Sequence, residues 1–183
     1  MQHLIEQILA LYRVSPEQFT ARFVPVDIYE LTQSLIAEHY TTFECRDQTI
    51  ELTANGGDEP VTALIEGDKF ALETLIINLL SNANKYTPEG GQIRVDVSID
   101  KHHVILSVTD NGPGIPAADR ERIFERFYRV GNDRHSSGQS GCGLGLAIVK
   151  NIALLHDAHI EVTDAPVESG TSFTVYFRRL EMS

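Results

Sequence analysis

The sequence predicts an α+β domain, and three observations predict it. Apolar residues recur at three- and four-residue steps in several stretches, the period of a helix, and alternate with polar ones in others, the period of a strand. Two pairs of alternating stretches are joined by short, turn-rich segments of the hairpin kind. The chain of 183 residues, 42% of them hydrophobic, suffices for one sizeable core and a small appendage. No internal repeat or low-complexity tract interrupts it.

In chain order, residues 4–12 place Leu4, Ile5, Ile8, Leu9, Leu11 and Tyr12 on an amphipathic helix ended by Ser15-Pro16. Its stripe suits either a core or the end of a longer bundled helix, and His3 reads as a surface histidine. Residues 19–26 read as a short strand, with Pro25 placing it at an edge or its end. Asp27 then caps a helix through Ile28, Leu31, Leu35, Ile36 and His39. Residues 49–53 and 61–65 read as two strands of a hairpin across Asn55-Gly56-Gly57-Asp58.

Asp68 opens a helix whose apolar face is Leu72, Leu75, Ile76, Leu79, Leu80 and Ala83. Asn78, Asn82 and Lys85 fall within about 60° of one another on the other side. A solvated face would carry Glu and Lys more readily than two Asn, which compete with the helix for backbone hydrogen bonds. Amide oxygens one turn apart suit a hard cation, and Lys85 suits phosphate. Thr87-Pro88-Glu89-Gly90-Gly91 ends this helix.

Residues 92–99 and 103–109 alternate as an antiparallel pair. The second strand runs into Asp110-Asn111-Gly112-Pro113-Gly114-Ile115-Pro116, which serves equally as a capped turn or as a loop that approaches a ligand closely. Residues 117–127 read as a short helix with Ile123, Phe124 and Phe127 on one side, and residues 128–140 as a mobile loop. A helix over residues 144–156 and strands over residues 159–163 and 172–177 close the chain.

The loop leads into Gly141-Cys142-Gly143-Leu144-Gly145-Leu146. Glycines at alternate positions before an apolar helical run bring bare amides up to an anion. A P-loop would need Lys and then Ser or Thr after its last glycine, and a dinucleotide fold would need glycine where Leu146 stands.

Charge bounds the partners. The 26 acidic and 15 basic residues give a net charge of -11, which repels nucleic acid and anionic membrane from most of the surface. A basic cluster would be local and worth noticing. Cys45 and Cys142 fit no CxxC or Cys/His ligand spacing, so a reducing compartment and no disulfide are expected. There is no apolar run of about 18 residues and no signal-peptide pattern after Met1, so a soluble chain is expected.

Four segments in order resemble the ATP-binding catalytic domain of bacterial sensor histidine kinases, within the wider family of gyrase, Hsp90 and MutL. They are the N box from Asn78 through Asn82 to Lys85-Tyr86-Thr87, the G1 box from Asp110 to Pro116, the F box Ile123-Phe124-Glu125-Arg126-Phe127-Tyr128, and the G2 box from Gly141 to Leu146. The resemblance covers residues 25–177. It implies a two-layer α/β sandwich of the Bergerat type, with a mixed, mostly antiparallel sheet covered by helices on one face.

It also implies ATP and Mg²⁺ as ligands. Asp110 would meet the adenine amino group, with Gly112, Gly114 and Ile115 around the base and Tyr86 near it. Asn82, helped by Asn78, would hold Mg²⁺. Lys85 and Arg126 would meet phosphate oxygens, and Phe124, Phe127 and Tyr128 belong to the same site. Gly141, Gly143, Leu144, Gly145 and Leu146 would present amides to the triphosphate. Cys142 is a poor ligand for a hard cation and is left out of the metal site.

The family's phosphoacceptor motif, a His followed by an acidic residue and Leu-Arg-Thr-Pro, does not occur here. Residues 1–18 resemble the tail of the dimerisation and phosphotransfer helix, and residues 19–183 the catalytic domain. The resemblance therefore implies a cytoplasmic fragment of a parent in the bacterial inner membrane. Its expected partners are a dimerisation domain, of its own chain or of a homodimer partner, and a response regulator. The alternatives are a non-catalytic nucleotide-binding sensor and a switch ATPase, which would need a catalytic Glu where Asn78 stands.

Overall fold

The computed structural model describes residues 22–55, 62–130, 143–166 and 169–180. Strand β1 (Phe23–Asp27) leads directly into helix α1 (Ile28–Glu44), and β3 (Leu64–Asp68) directly into α2 (Lys69–Tyr86). Both junctions use an aspartate as the last strand residue. Asp27 accepts from the amides of Tyr29 at 2.9 Å and Glu30 at 3.2 Å, and Asp68 from that of Ala71 at 3.0 Å. These are amides that a first helical turn leaves without acceptors, so both predicted caps are in place.

The main sheet has five strands in the order β2 (Thr49–Asn55), β4 (Gln92–Ile99), β5 (His103–Asp110), β7 (Thr171–Arg178) and β6 (His159–Asp164). Only β2 and β4 run parallel; the other neighbours are antiparallel. One face carries the buried side chains Ile93, Val95, Val97, Leu106, Phe173 and Val175, which join Leu72, Leu75 and Leu79 of α2 and Ile148 and Ile152 of α3 (Gly145–Leu155) in one core. Each such burial is worth roughly 1.5–3 kcal/mol relative to exposure. Helices on one side of a mixed, mostly antiparallel sheet make the two-layer sandwich that the resemblance implies.

The hairpin expected between residues 49–53 and 61–65 is not formed. β2 instead pairs parallel with β4, aligning Ile50 with Ile93 and Leu52 with Val95, while β3 pairs with β1 from Phe23 against Asp68 to Asp27 against Leu64. Local turn chemistry suggested the hairpin, and long-range burial decides the partner: β2 gains a core-facing row beside β4. Pro25 does lie in an edge strand, since among the described residues β1 has β3 as its one neighbour.

A second correction concerns residues 117–127. They form two 3-10 turns, Ala117–Asp119 and Arg122–Phe124, after which Glu125 is extended. The Phe127 amide donates to the Gly143 carbonyl at 2.9 Å, a bond that an α-helix continuing through Phe127 would have taken for itself. The helix expected over residues 4–12 lies outside the described residues, as do residues 131–140 of the loop expected over residues 128–140. Among the described residues no helix is long and apolar enough to cross a membrane. Cys45 is a free, exposed thiol.

His156, 7% exposed, joins the end of α3 to the start of α2. Its Nδ1–H donates to the Ile152 carbonyl at 2.8 Å and its Nε2 accepts from the Asp68 amide at 3.1 Å, a pairing that requires the neutral ring. Burial lowers its pKa below the ordinary 6.5, against the opposing pull of the Ile152 carbonyl and Asp68. The unfolded chain therefore takes up this proton first as pH falls below 6.5, and stability declines from there towards the lower folded value. His156→Gln is expected to lower the urea midpoint at pH 7.5 and to lie closer to wild type at pH 5.5.

Candidate functional site

Four elements meet at one end of the sheet. β5 ends in Asp110, the last turns of α2 bring Asn82 and Tyr86, the loop after β5 brings Gly114 and Ile115, and α3 begins beside them. Between them lies a cavity of about 540 Å³ whose walls include Asn82, Tyr86, Asp110, Ile115, Tyr128 and Leu146.

Asp110 is 4% exposed and accepts the Gly112 amide on Oδ1 at 2.8 Å. Burial raises its pKa above the ordinary 3.8, with the Gly112 and Thr171 amides pulling it back. A buried carboxylate held by the Gly112 and Thr171 amides in a cavity wall is an acceptor for a ligand's donor. Gly112 is demanded by close approach, because a Cβ there would stand 2.7 Å from the Tyr86 carbonyl and 2.8 Å from Asp110 Oδ1.

Across the cavity α3 starts without a side-chain cap on its N-cap residue Leu144. The amides of Gly145, Leu146 and Ala147 have no acceptor within the helix, so this end carries donors and the positive end of the helix dipole. Asn78 stands one turn before Asn82. Its Nδ2 donates to the Thr74 carbonyl at 2.8 Å, and its Oδ1 is turned towards Gly145, where a Cβ would come within 2.8 Å of it. An amide oxygen thus sits between the two helices.

Other predicted residues lie around this cavity or away from it. Lys85 holds its ammonium 5.0 Å from the centre of the Tyr86 ring. Tyr128 donates to Asp119 at 2.5 Å beneath the Arg122 guanidinium. Arg126 is exposed, and Phe127 is 69% exposed with a left-handed φ of 64°. Phe124 lines a different groove, against Lys150 and Leu154. Leu144 is buried, Gly143 meets Phe127 through its backbone, and Gly141 lies outside the described residues.

Sequence reasoning missed Gly170 and Thr171. Thr171 lines the cavity, and Gly170, at φ 148°, lies so close to Asp110 that a Cβ would stand 1.9 Å from its carbonyl oxygen. The signal was a single glycine before a strand, easily taken for a turn. Gln48 was missed too: buried, it reaches the carbonyls of Asn84 at 3.0 Å and Thr87 at 2.9 Å, and so pins the end of α2 that carries Lys85 and Tyr86.

Residues 67–181 match the family described as Histidine kinase-, DNA gyrase B-, and HSP90-like ATPase. The chain belongs to this family. Membership in this ATPase family implies ATP binding. Among relatives, the sensor protein kinase PmrB of Pseudomonas aeruginosa is 38% identical over 84% of this chain and 30% of its own. The structure of the mycobacterial sensor histidine kinase MprB is 32% identical with a TM-score of 0.72, covering 88% of this chain and 100% of that one. Full-length ShkA in complex with AMPPNP is 26% identical with a TM-score of 0.77, covering 99% of this chain and 37% of that one. The chain spans less than half the length of the curated sensor kinases compared, 16% of one and 43% of another.

Proposed function

We propose that this chain is the catalytic domain of a sensor histidine kinase, which binds Mg·ATP and supplies its γ-phosphoryl group to a histidine on a dimerisation and phosphotransfer domain, for relay to a response-regulator aspartate. The observation that carries it is the shared cavity of Asp110, Asn82 and Leu146. One buried carboxylate and one open helix start, with an amide oxygen between them, match the three chemical parts of a metal-bound nucleoside triphosphate. The AMPPNP complex of ShkA supports the nucleotide, and the sensor-kinase relatives support the phosphoryl transfer.

Asp110 accepts from the adenine amino group, while the Gly112 amide holds it in place. The first amides of α3 meet the phosphates, and Lys85 and Arg126 neutralise their oxygens. Among the described residues there is no group of three His, Cys, Asp or Glu side chains able to hold a metal. A cation here would rest on the amide oxygens of Asn82 and Asn78 and on the nucleotide itself, the sparse oxygen set that suits Mg²⁺. When bound, the ion would offset negative charge on the phosphoryl oxygens. The acceptor histidine belongs to the partner domain, in the same protein, whether supplied by its own subunit or by a homodimer partner.

Radiolabelled ATP mixed with this chain and the separately produced dimerisation domain should yield acid-labile phosphohistidine on that domain. Nucleotide binding without transfer would overturn the kinase reading and leave a nucleotide-binding module. Asn82→Ala is expected to weaken Mg·ATP at least tenfold and metal-free ATP far less, as read by calorimetry with and without chelator. Equal losses in both arms would remove Asn82 from the metal site.

A further inference from the structure

The strands that end at Asp110 and begin at Thr171 also meet at their other ends, where His103 pairs with Arg178. That pole is about 24 Å away along the strand. A second cavity, of about 910 Å³, opens there between the main sheet and the β1–β3 ladder. The junction is closed by backbone bonds from Arg179 to the His102 carbonyl at 2.8 Å and from Leu180 to the Leu64 carbonyl at 2.9 Å.

Its walls gather Lys101, Arg178 and Arg179, three exposed cations in a chain of net charge -11. Among the described residues none of the three is in an ion pair. The carboxylates that face the same space are Glu66 and Asp157. Asp100 and Glu161 are already engaged nearby: Asp100 with the His102 and His103 amides at 2.7 and 2.6 Å and the His103 ring, Glu161 with His159 and the Tyr176 hydroxyl. The three cations thus outnumber the two carboxylates of the cavity and are set on the end of β7 and the turn between β4 and β5. Arginine forks and a lysine ammonium in that arrangement recognise phosphate oxygens.

We propose that this cavity is a second anion site, which takes a phosphate group through Lys101, Arg178 and Arg179. It is independent of the ATP cavity. The group could come from a soluble phosphate ester or from a phospholipid headgroup, and the chemistry is the same for both.

The test uses the isotopically labelled chain with the cavity beside Asp110 saturated by AMPPNP. Added inorganic phosphate should give saturable NMR shifts at His102, His103, Arg178 and Arg179 that sodium chloride of equal ionic strength does not give. Lys101→Gln/Arg178→Gln/Arg179→Gln should weaken that binding about tenfold or more while leaving AMPPNP affinity unchanged. Glycerol phosphate and phosphatidylglycerol vesicles are then compared. Response to the ester alone assigns a soluble ligand, and additional vesicle binding lost in the triple variant assigns the headgroup; either supports the site. Shifts reproduced by chloride, shifts retained in the triple variant, or saturable binding of polyglutamate with none of phosphate would overturn it.

Discussion

Asp110→Asn is expected to lower ATP affinity by about 10- to 100-fold without destabilising the fold. A hydrogen bond to a charged acceptor is worth about 1.5–3 kcal/mol, and the amide that replaces it can turn its NH₂ group towards a donor. Stability is spared because burial raises the pKa of Asp110. The ionised form is the unfavourable one in the folded chain, a cost present above the folded pKa and relieved as pH falls through it, so the neutral amide removes that cost. Wild-type affinity should accordingly begin to fall on acidification before an aspartate of ordinary pKa 3.8 would protonate, and the variant should lack this step. Calorimetric titrations across pH check both statements, and wild-type affinity in Asp110→Asn would remove the carboxylate from base recognition.

Gly170→Ala should have the larger effect on stability, roughly 2–4 kcal/mol, together with loss of nucleotide binding. A Cβ there would stand 1.9 Å from the Asp110 carbonyl oxygen, in the backbone that aims the Asp110 side chain. Gly90→Ala is the control. Gly90 has a φ of 71° with nothing within 4 Å of its Cβ position, so it reports left-handed strain alone, about 1 kcal/mol. Urea unfolding of both variants sets the combined clash and backbone strain at Gly170 against left-handed strain alone, and equal midpoints would show that the Gly170 contact relaxes at no cost.

These two positions differ in how visible they were from residues alone. Asp110 announced itself as a carboxylate at the end of an alternating strand, followed by glycines, and Asn82 as an amide where a solvated helix would carry charge. Gly170 has no such pattern, because what demands it is a neighbour in the fold that lies sixty positions away in the sequence. Helices α1 and α2 and their aspartate caps were legible because their determinants are local. The partner of β2 was not, since the same alternation fits a hairpin with β3 or a parallel place beside β4, and only burial against the whole sheet chooses. Phe124 shows the same limit: its box is clear, yet 3-10 geometry after Pro116 turns its ring towards Lys150 and away from the cavity wall.

Among the described residues the strand order leaves the sheet with two unpaired borders, β2 and β6. An open border is a template on which another chain can add itself, the route to edge-to-edge aggregation. Each border here carries an exposed glutamate near its middle, Glu51 on one and Glu161 on the other, and β6 ends in exposed Asp164. Two copies brought border to border would set carboxylates near one another, at the cost of like-charge repulsion. The acidic excess of the chain thus also guards its backbone against self-association.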